Sequence, residues 1–174
     1  MASATNNELT EGILLGMGNP LLDIQVNVEK DLLDKYEMKE NCAILAEDKH
    51  LALFEEIVKR EGIEYIPGGA TQNALRVFQW IICKPNASTF FGAVGKDKYS
   101  EILYNQSKNA GVNVCYQVNK SVKTGTCAAL IYKHHRSLCA DLAAANTFTL
   151  DHLQSEANDA LVKRQNSITY LVSS

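Results

Sequence analysis

The chain has 174 residues, enough for one sizeable core, with 46% hydrophobic residues, 21% charged residues and a net charge of −3. That balance gives no electrostatic reason to expect nucleic acid or an anionic membrane as partner. The polar opening MASATNNELTEG is neither a signal nor a transit peptide, and no apolar run approaches the ~20 residues of a membrane helix, so a soluble intracellular protein is expected.

The first predicted element is GILLGMG, a buried strand ending in glycines. In NPLLDIQVNVEK the period changes: Leu22, Ile24, Val26 and Val28 alternate with Asp23, Gln25, Asn27 and Glu29. That pattern predicts a strand with one apolar and one wet face. A short strand over Ala43 to Glu47 is expected to pair with it. DKHLALFEEIVKREG then reads as a helix capped by Asp48 and closed by Gly62.

An alternating rhythm follows. EYIP is a strand, ATQNALRVFQWII a helix, ASTFFGAVG a strand, DKYSEILYNQSKNAG a helix and NVCYQV a strand. Strands alternating with helices of this length predict a mostly parallel sheet covered on both faces. TGTCAALIY and SLCADLAAA read as a hairpin turning at KHHR, followed by a helix from Asp151 and a strand, SITYLV. The fold class is therefore α/β: a doubly wound parallel sheet plus a small half-exposed β-sheet set beside it as a lid. The lid is expected from residues 19–47 and 124–145, and the larger α/β portion from 12–18, 48–123 and 146–174. A last strand running straight into Ser173 and Ser174 leaves that sheet without its next crossover, so the chain reads as part of a longer protein.

Five scattered cysteines without CxxC spacing argue against a disulfide framework or a zinc site, and the sequons at Asn86, Asn105 and Asn119 read as chance matches. GMGNPL approaches a dinucleotide fingerprint, but Leu21 replaces the third glycine and a strand, not a helix, follows. Asp23, taken alone, is a solvated strand carboxylate. It gains interest from GGATQN, whose Asn73 falls on the apolar stripe of its helix with Val77 and Ile81 at i+4 and i+8, a polar amide expected on the buried side. A carboxylate and an amide facing a glycine-lined gap suit a polyhydroxylated ligand, since a carboxylate accepts from two adjacent hydroxyls at once. The adjacent histidines of KHHR point to opposite faces and do not chelate. Arg136 is either a turn residue or a lid arginine that reaches over a cleft to a phosphate.

Six segments then carry a resemblance. GMGNPLLDI, ILAEDKH, GGATQNALRVFQW, TFFGAVGKDKY, TGTCAAL and RSLCADLAAAN together resemble the ribokinase-like (PfkB) sugar and nucleoside kinases, in their adenosine kinase branch, from about Ile13 to Val172. The resemblance implies a ribokinase-like fold, with ATP as co-substrate, Mg²⁺ as cofactor and phosphoryl transfer to the 5′-hydroxyl of adenosine in purine salvage. It implies that Asp23 holds the ribose 2′- and 3′-hydroxyls with Asn73 and the Gly68-Gly69 backbone. Asn19 would lie against the sugar and purine, and Leu45, Cys127, Leu138 and Ala140 would give apolar contacts to the base. Arg136 would come over the phosphates, and Gly68-Gly69 would be the hinge.

It further implies a monomer acting on a small-molecule substrate, without nucleic acid or membrane, in the cytoplasm or also the nucleus. The family's Asp-Thr-Asn-Gly-Ala-Gly-Asp stretch, which supplies the anion hole and general base, does not occur in these residues, so the base is expected beyond Ser174. The aromatic that flanks the purine is replaced by Ser173 and Ser174, and Ala70 and Asp141 stand where some relatives have serine and asparagine. The 174 residues alone are thus expected to be inactive or nearly so. The alternatives are a non-catalytic nucleoside-binding module and a sugar kinase of the same superfamily.

Overall fold

The strands that run apolar without alternation become the parallel sheet. Leu14–Met17 (β1) pairs in parallel with Ser88–Gly95 (β5), and every residue of β5 is buried, as a strand covered on both faces requires. In this computed structural model, which describes residues 11–163 and 170–172, Asn113–Asn119 (β6) and Tyr170–Val172 (β9) complete four parallel strands in the order β6-β5-β1-β9. The remainder of the expected SITYLV strand, like Ser173 and Ser174, lies outside the described residues. Lys98–Asn109 (α4) makes the crossover from β5 to β6, started by Asp97, whose carboxylate accepts from the backbone N–H groups of Tyr99 and Ser100.

The second sheet has five strands, built from Leu21–Asn27 (β2), Ala43–Leu45 (β3), Glu64–Gly68 (β4), Thr126–Tyr132 (β7) and His135–Asp141 (β8) in the order β3-β8-β7-β2-β4. Two pairings differ from expectation. β3 lies parallel to β8, not beside β2, because both edges of β2 are taken: β7 runs parallel along one and β4 antiparallel along the other. β4, the EYIP segment expected in the parallel sheet, therefore belongs to the small sheet, with Asp23 opposite Ile66 and Leu21 opposite Gly68. The hairpin turns at Lys133-His134, with Lys133 at φ 55°, the left-handed conformation that such two-residue turns demand.

The expected alternation holds only from the second half of β2 onward: Ile24, Val26 and Val28 are buried between half-buried Gln25 and exposed Asn27 and Glu29, whereas Leu21, Leu22 and Asp23 are all buried. Leu22 packs with Val94 and Leu103 of the larger layer, while Ile24 and Val26 enter a separate core beneath the small sheet. That core is closed by Lys30–Lys35 (α1) and Leu51–Ile57 (α2) through Leu32, Leu33, Leu53 and Ile57. The small sheet thus has its own covered face.

Three helix expectations also shift. The 48–62 segment begins as a 3₁₀ turn, Asp48–His50, capped by Glu47 rather than Asp48; the His50 ring accepts from the Glu47 N–H at 3.0 Å, and α2 ends at Ile57. The helix from Asp151 is two short ones, Leu150–Leu153 (α5) and Glu156–Lys163 (α6), broken where the Asn158 amide donates to the His152 carbonyl at 2.8 Å.

Ala70–Ile82 (α3) has the expected bounds and the opposite face inward. Thr71, Gln72, Leu75 and Gln79 are buried, whereas Val77, Trp80 and Ile81 are exposed. The two glutamines are tolerated inside because each is fully engaged. Gln79 accepts from the Ser88 N–H (2.7 Å) and hydroxyl (3.0 Å) and donates to the Lys84 carbonyl (2.8 Å). Gln72 donates to the Gly68 carbonyl (3.0 Å) and accepts from the Tyr116 hydroxyl.

Candidate ligand-binding site

Where β4 leaves the small sheet for α3, the chain passes through Gly68 and Gly69, and each glycine has a specific reason. A Cβ at Gly68 would collide with the Asp23 carboxylate. Gly69 sits at φ 86°, and a Cβ there would collide with the Asn19 carbonyl oxygen. What approaches the glycine pair within the protein is thus a carboxylate on one side and a backbone carbonyl on the other. Gln72 ties this turn to β6 through Tyr116.

Beside that turn, between the small sheet and the start of α3, is a cavity of about 400 Å³. Asp23, Asn73 and Arg136 bring its polar side chains; Leu45, Cys127, Leu138 and Ala140 make an apolar wall, with Gly69 at the turn. Leu21, Ala43, Ile44 and Ala70 also line it and were not among the expected ligand contacts, because small and aliphatic residues carry no chemical signal in a sequence. Asn19 and Gly68 are not lining residues. The Asn19 carbonyl lies against Gly69, and Gly68 lies against the Asp23 carboxylate.

Asp23 is 8% exposed. Burial pushes its carboxyl above the ordinary aspartate range, and the Arg136 guanidinium opposes that rise by charge and hydrogen bonding. Arg136, 49% exposed in its side chain, donates from Nη2 to Asp23 Oδ2 at 2.8 Å. The arginine expected over a phosphate thus lies on the carboxylate, a contact bridging 113 positions of chain. Cys127 is buried, and burial, with Asp23 adding to it, pushes its thiol up to about 12, so it serves as a neutral wall. Leu45, at 63% exposure, stands at the mouth.

Asn73 corrects the sequence reading. It is exposed, because the stripe it shares with Val77 and Ile81 faces outward, and its Oδ1 accepts from Arg76 Nη1 at 3.1 Å. It still reaches the cavity as a rim residue.

A tether that the sequence reading missed fixes the opposite side of the small sheet. Besides capping α4, the Asp97 carboxylate accepts from the Thr124 N–H at 2.8 Å and its hydroxyl at 2.7 Å; Thr124 Oγ1 in turn accepts from the Gly95 N–H at 3.0 Å. These bonds hold the segment entering β7 against the end of β5. The second set of donors to this cap comes from 27 residues away.

A buried, ionisable carboxylate over a glycine turn, lining one cavity with an apolar wall, can accept hydrogen bonds from two hydroxyls on one side of a flat, partly apolar ligand. The family model described as pfkB family carbohydrate kinase matches residues 31–170. Adenosine kinase 2 of Arabidopsis thaliana is 49% identical over 164 residues, covering 94% of this chain and 47% of the relative. The adenosine kinase of Dictyostelium discoideum is 48% identical over 149 residues, covering 86% and 44%. Among solved structures, Anopheles gambiae adenosine kinase in complex with P1,P4-di(adenosine-5) tetraphosphate superposes with a TM-score of 0.88 at 49% identity, over 94% of this chain and 47% of that one. Schistosoma mansoni adenosine kinase in complex with adenosine gives 0.88 at 34% identity, over 95% and 47%. The chain spans about half the length of the relatives it matches.

Proposed function

The chain belongs to the pfkB family of carbohydrate kinases, and from that premise we propose that it carries the nucleoside-binding half of an adenosine kinase, which transfers the ATP γ-phosphoryl group to the 5′-hydroxyl of adenosine. The observation that carries the reading is the buried Asp23 carboxylate, lodged over Gly68 and open to a cavity of about 400 Å³ with an apolar wall.

In this reading Asp23 accepts from the ribose 2′- and 3′-hydroxyls. Leu138, Cys127 and Ala140 enclose the base, Leu45 covers it from the mouth, and Asn73 and Asn19 flank the sugar. Holding the ribose from its diol side leaves the 5′-hydroxyl projecting away from the small sheet, which is the positioning that phosphoryl transfer requires. Gly68-Gly69 serves as the hinge on which the small sheet closes. The apolar wall favours a nucleoside over a bare hexose, the alternative that the family description itself raises.

ATP enters as co-substrate. Among the described residues no group of three or more His, Cys, Asp or Glu side chains could hold a metal ion. The Mg²⁺ of the proposed reaction is held chiefly by the ATP phosphates. The general base is expected outside these 174 residues. Among the described residues no helix is long and apolar enough to cross a membrane; action as a monomer in the cytoplasm, with the nucleus as a second location, is part of the same proposal.

Calorimetric titration with adenosine tests the reading. Two charge-assisted hydrogen bonds of about 1.5–3 kcal/mol each make Asp23→Ala weaken binding, and kcat/KM in the longer kinase that carries this segment, by on the order of 10²–10⁴. Equal adenosine affinity in wild type and Asp23→Ala would remove the diol-clamp role.

A further inference from the structure

The groups proposed to meet the sugar are not idle in this structure. Asp23 Oδ2 already accepts a hydrogen bond from Arg136 Nη2 at 2.8 Å, inside the cavity that the ligand would enter. Among the described residues this is the only ion pair that Arg136 makes. Its backbone is anchored independently, with its N–H donating to Asn41 Oδ1 at 3.2 Å and its strand paired Arg136 to Ile131. The side chain is free to swing without disturbing the hairpin, since it is half exposed while Asp23 is not.

Resting on the nucleoside reading above, we propose that Arg136 is an internal competitor for the diol site, occupying Asp23 until a vicinal diol displaces it. A carboxylate oxygen has two lone pairs, but a sugar hydroxyl that takes the position the guanidinium holds at Oδ2 does so at the expense of that charge-assisted bond. A diol offers two donors in return, so displacement proceeds, at an affinity lowered by the strength of the pair it breaks. A ligand that never touches Asp23 is not held back. Each diol bound returns a guanidinium to the cavity mouth, so occupancy by nucleoside and availability of that cation are linked.

The test is calorimetry without nucleotide on wild type, Arg136→Gln and Asp23→Ala, using adenosine and adenine as probes, at neutral pH or above. Arg136→Gln keeps the stem and removes the charge, and its exposed position makes loss of the fold the lesser risk; Arg136→Lys, which keeps a charge but not the forked geometry, serves as the second variant. The expected result is that Arg136→Gln tightens adenosine roughly three- to thirty-fold while leaving adenine unmoved, with Arg136→Lys in between. Unchanged or weakened adenosine binding in Arg136→Gln, with Asp23→Ala still losing it, overturns the competitor role alone. Adenosine binding that ignores Asp23→Ala overturns the nucleoside reading and the competitor role with it. An equal gain for adenine overturns the competitor role too, because the effect would then not pass through the diol.

Discussion

Asp23 is where stability and ligand chemistry oppose each other. Burial raises its carboxyl above the ordinary aspartate value of 3.8, with Arg136 opposing. A raised folded-state value means that the group contributes stability below 3.8 and loses that contribution as pH rises through the folded value. Asp23→Asn should therefore gain stability relative to wild type on going from acid to neutral pH, readable by urea denaturation at both. Binding in the proposed reading has the opposite sense, because a diol clamp needs the ionised form. Adenosine affinity should fall on acidification at a higher pH than a solvated aspartate would give, and Asp23→Asn should lack that dependence. Cys127, at about 12, does not titrate in this window. Gly68→Ala tests the same group sterically, for its Cβ must expel the carboxylate; nucleoside binding should fall as far as in Asp23→Ala, and retained affinity would mean the carboxylate works from elsewhere. The site's residue types were legible because a carboxylate, an amide and paired glycines carry their chemistry in their names. The Asp23–Arg136 contact was not, since nothing local links residues 113 positions apart.

At the scale of elements, α3 shows what periodicity can and cannot establish. Its bounds were legible from GGATQNALRVFQW, where glycines precede an unbroken helical run, but its orientation was not. The apolar stripe of Val77, Trp80 and Ile81 points outward, and the buried face is held by glutamine hydrogen bonds that a hydropathy pattern counts as polar surface. Two substitutions separate the alternatives. Gln79→Leu takes the acceptor away from the buried Ser88 N–H and hydroxyl, and each buried group left unpaired costs about 1–3 kcal/mol. Trp80→Ser changes a side chain that is 79% exposed and should stay within about ±0.5 kcal/mol. Chemical denaturation of both variants would decide, and a larger loss for Trp80→Ser would reverse the assignment of faces. The short strands β3 and β4 failed for a related reason. Three to five residues announce a strand, but which edge they join depends on what already occupies β2.

On the scale of the whole molecule, each sheet has a core of its own, the small sheet behind β2 and β7 and the parallel sheet at Leu75, Phe90 and Val112 beneath α3, and the two meet in a smaller cluster where Leu22 packs with Val94 and Leu103. Bodies with separate cores move as units when the strands joining them allow it. One connection, Gly68-Gly69, is built from residues whose backbone is free to turn. Another, the entry to β7, is held by Asp97 through Thr124. Burial alone would push the Asp97 carboxyl upward, but its bonds from Thr124, Ser100 and Tyr99 outweigh it and hold the group below the ordinary value. Its stabilising contribution is therefore present above 3.8 and lost as pH falls through the depressed value. Asp97→Ala should cost about 2–4 kcal/mol by removing charge-assisted bonds to backbone donors, and Thr124→Val, which keeps its own backbone N–H bond but leaves the buried Gly95 N–H without its acceptor, about 1–3 kcal/mol. If closure pivots on this tether while the glycines turn, adenosine should slow amide exchange at the turn around Gly68 and along β8 near Leu138. It should leave β5 unchanged and keep the β2–β7 ladder protected in both states. Hydrogen exchange read by mass spectrometry would show that pattern, and deprotection of the β2–β7 ladder on binding would mean that the small sheet remodels rather than closes as one piece.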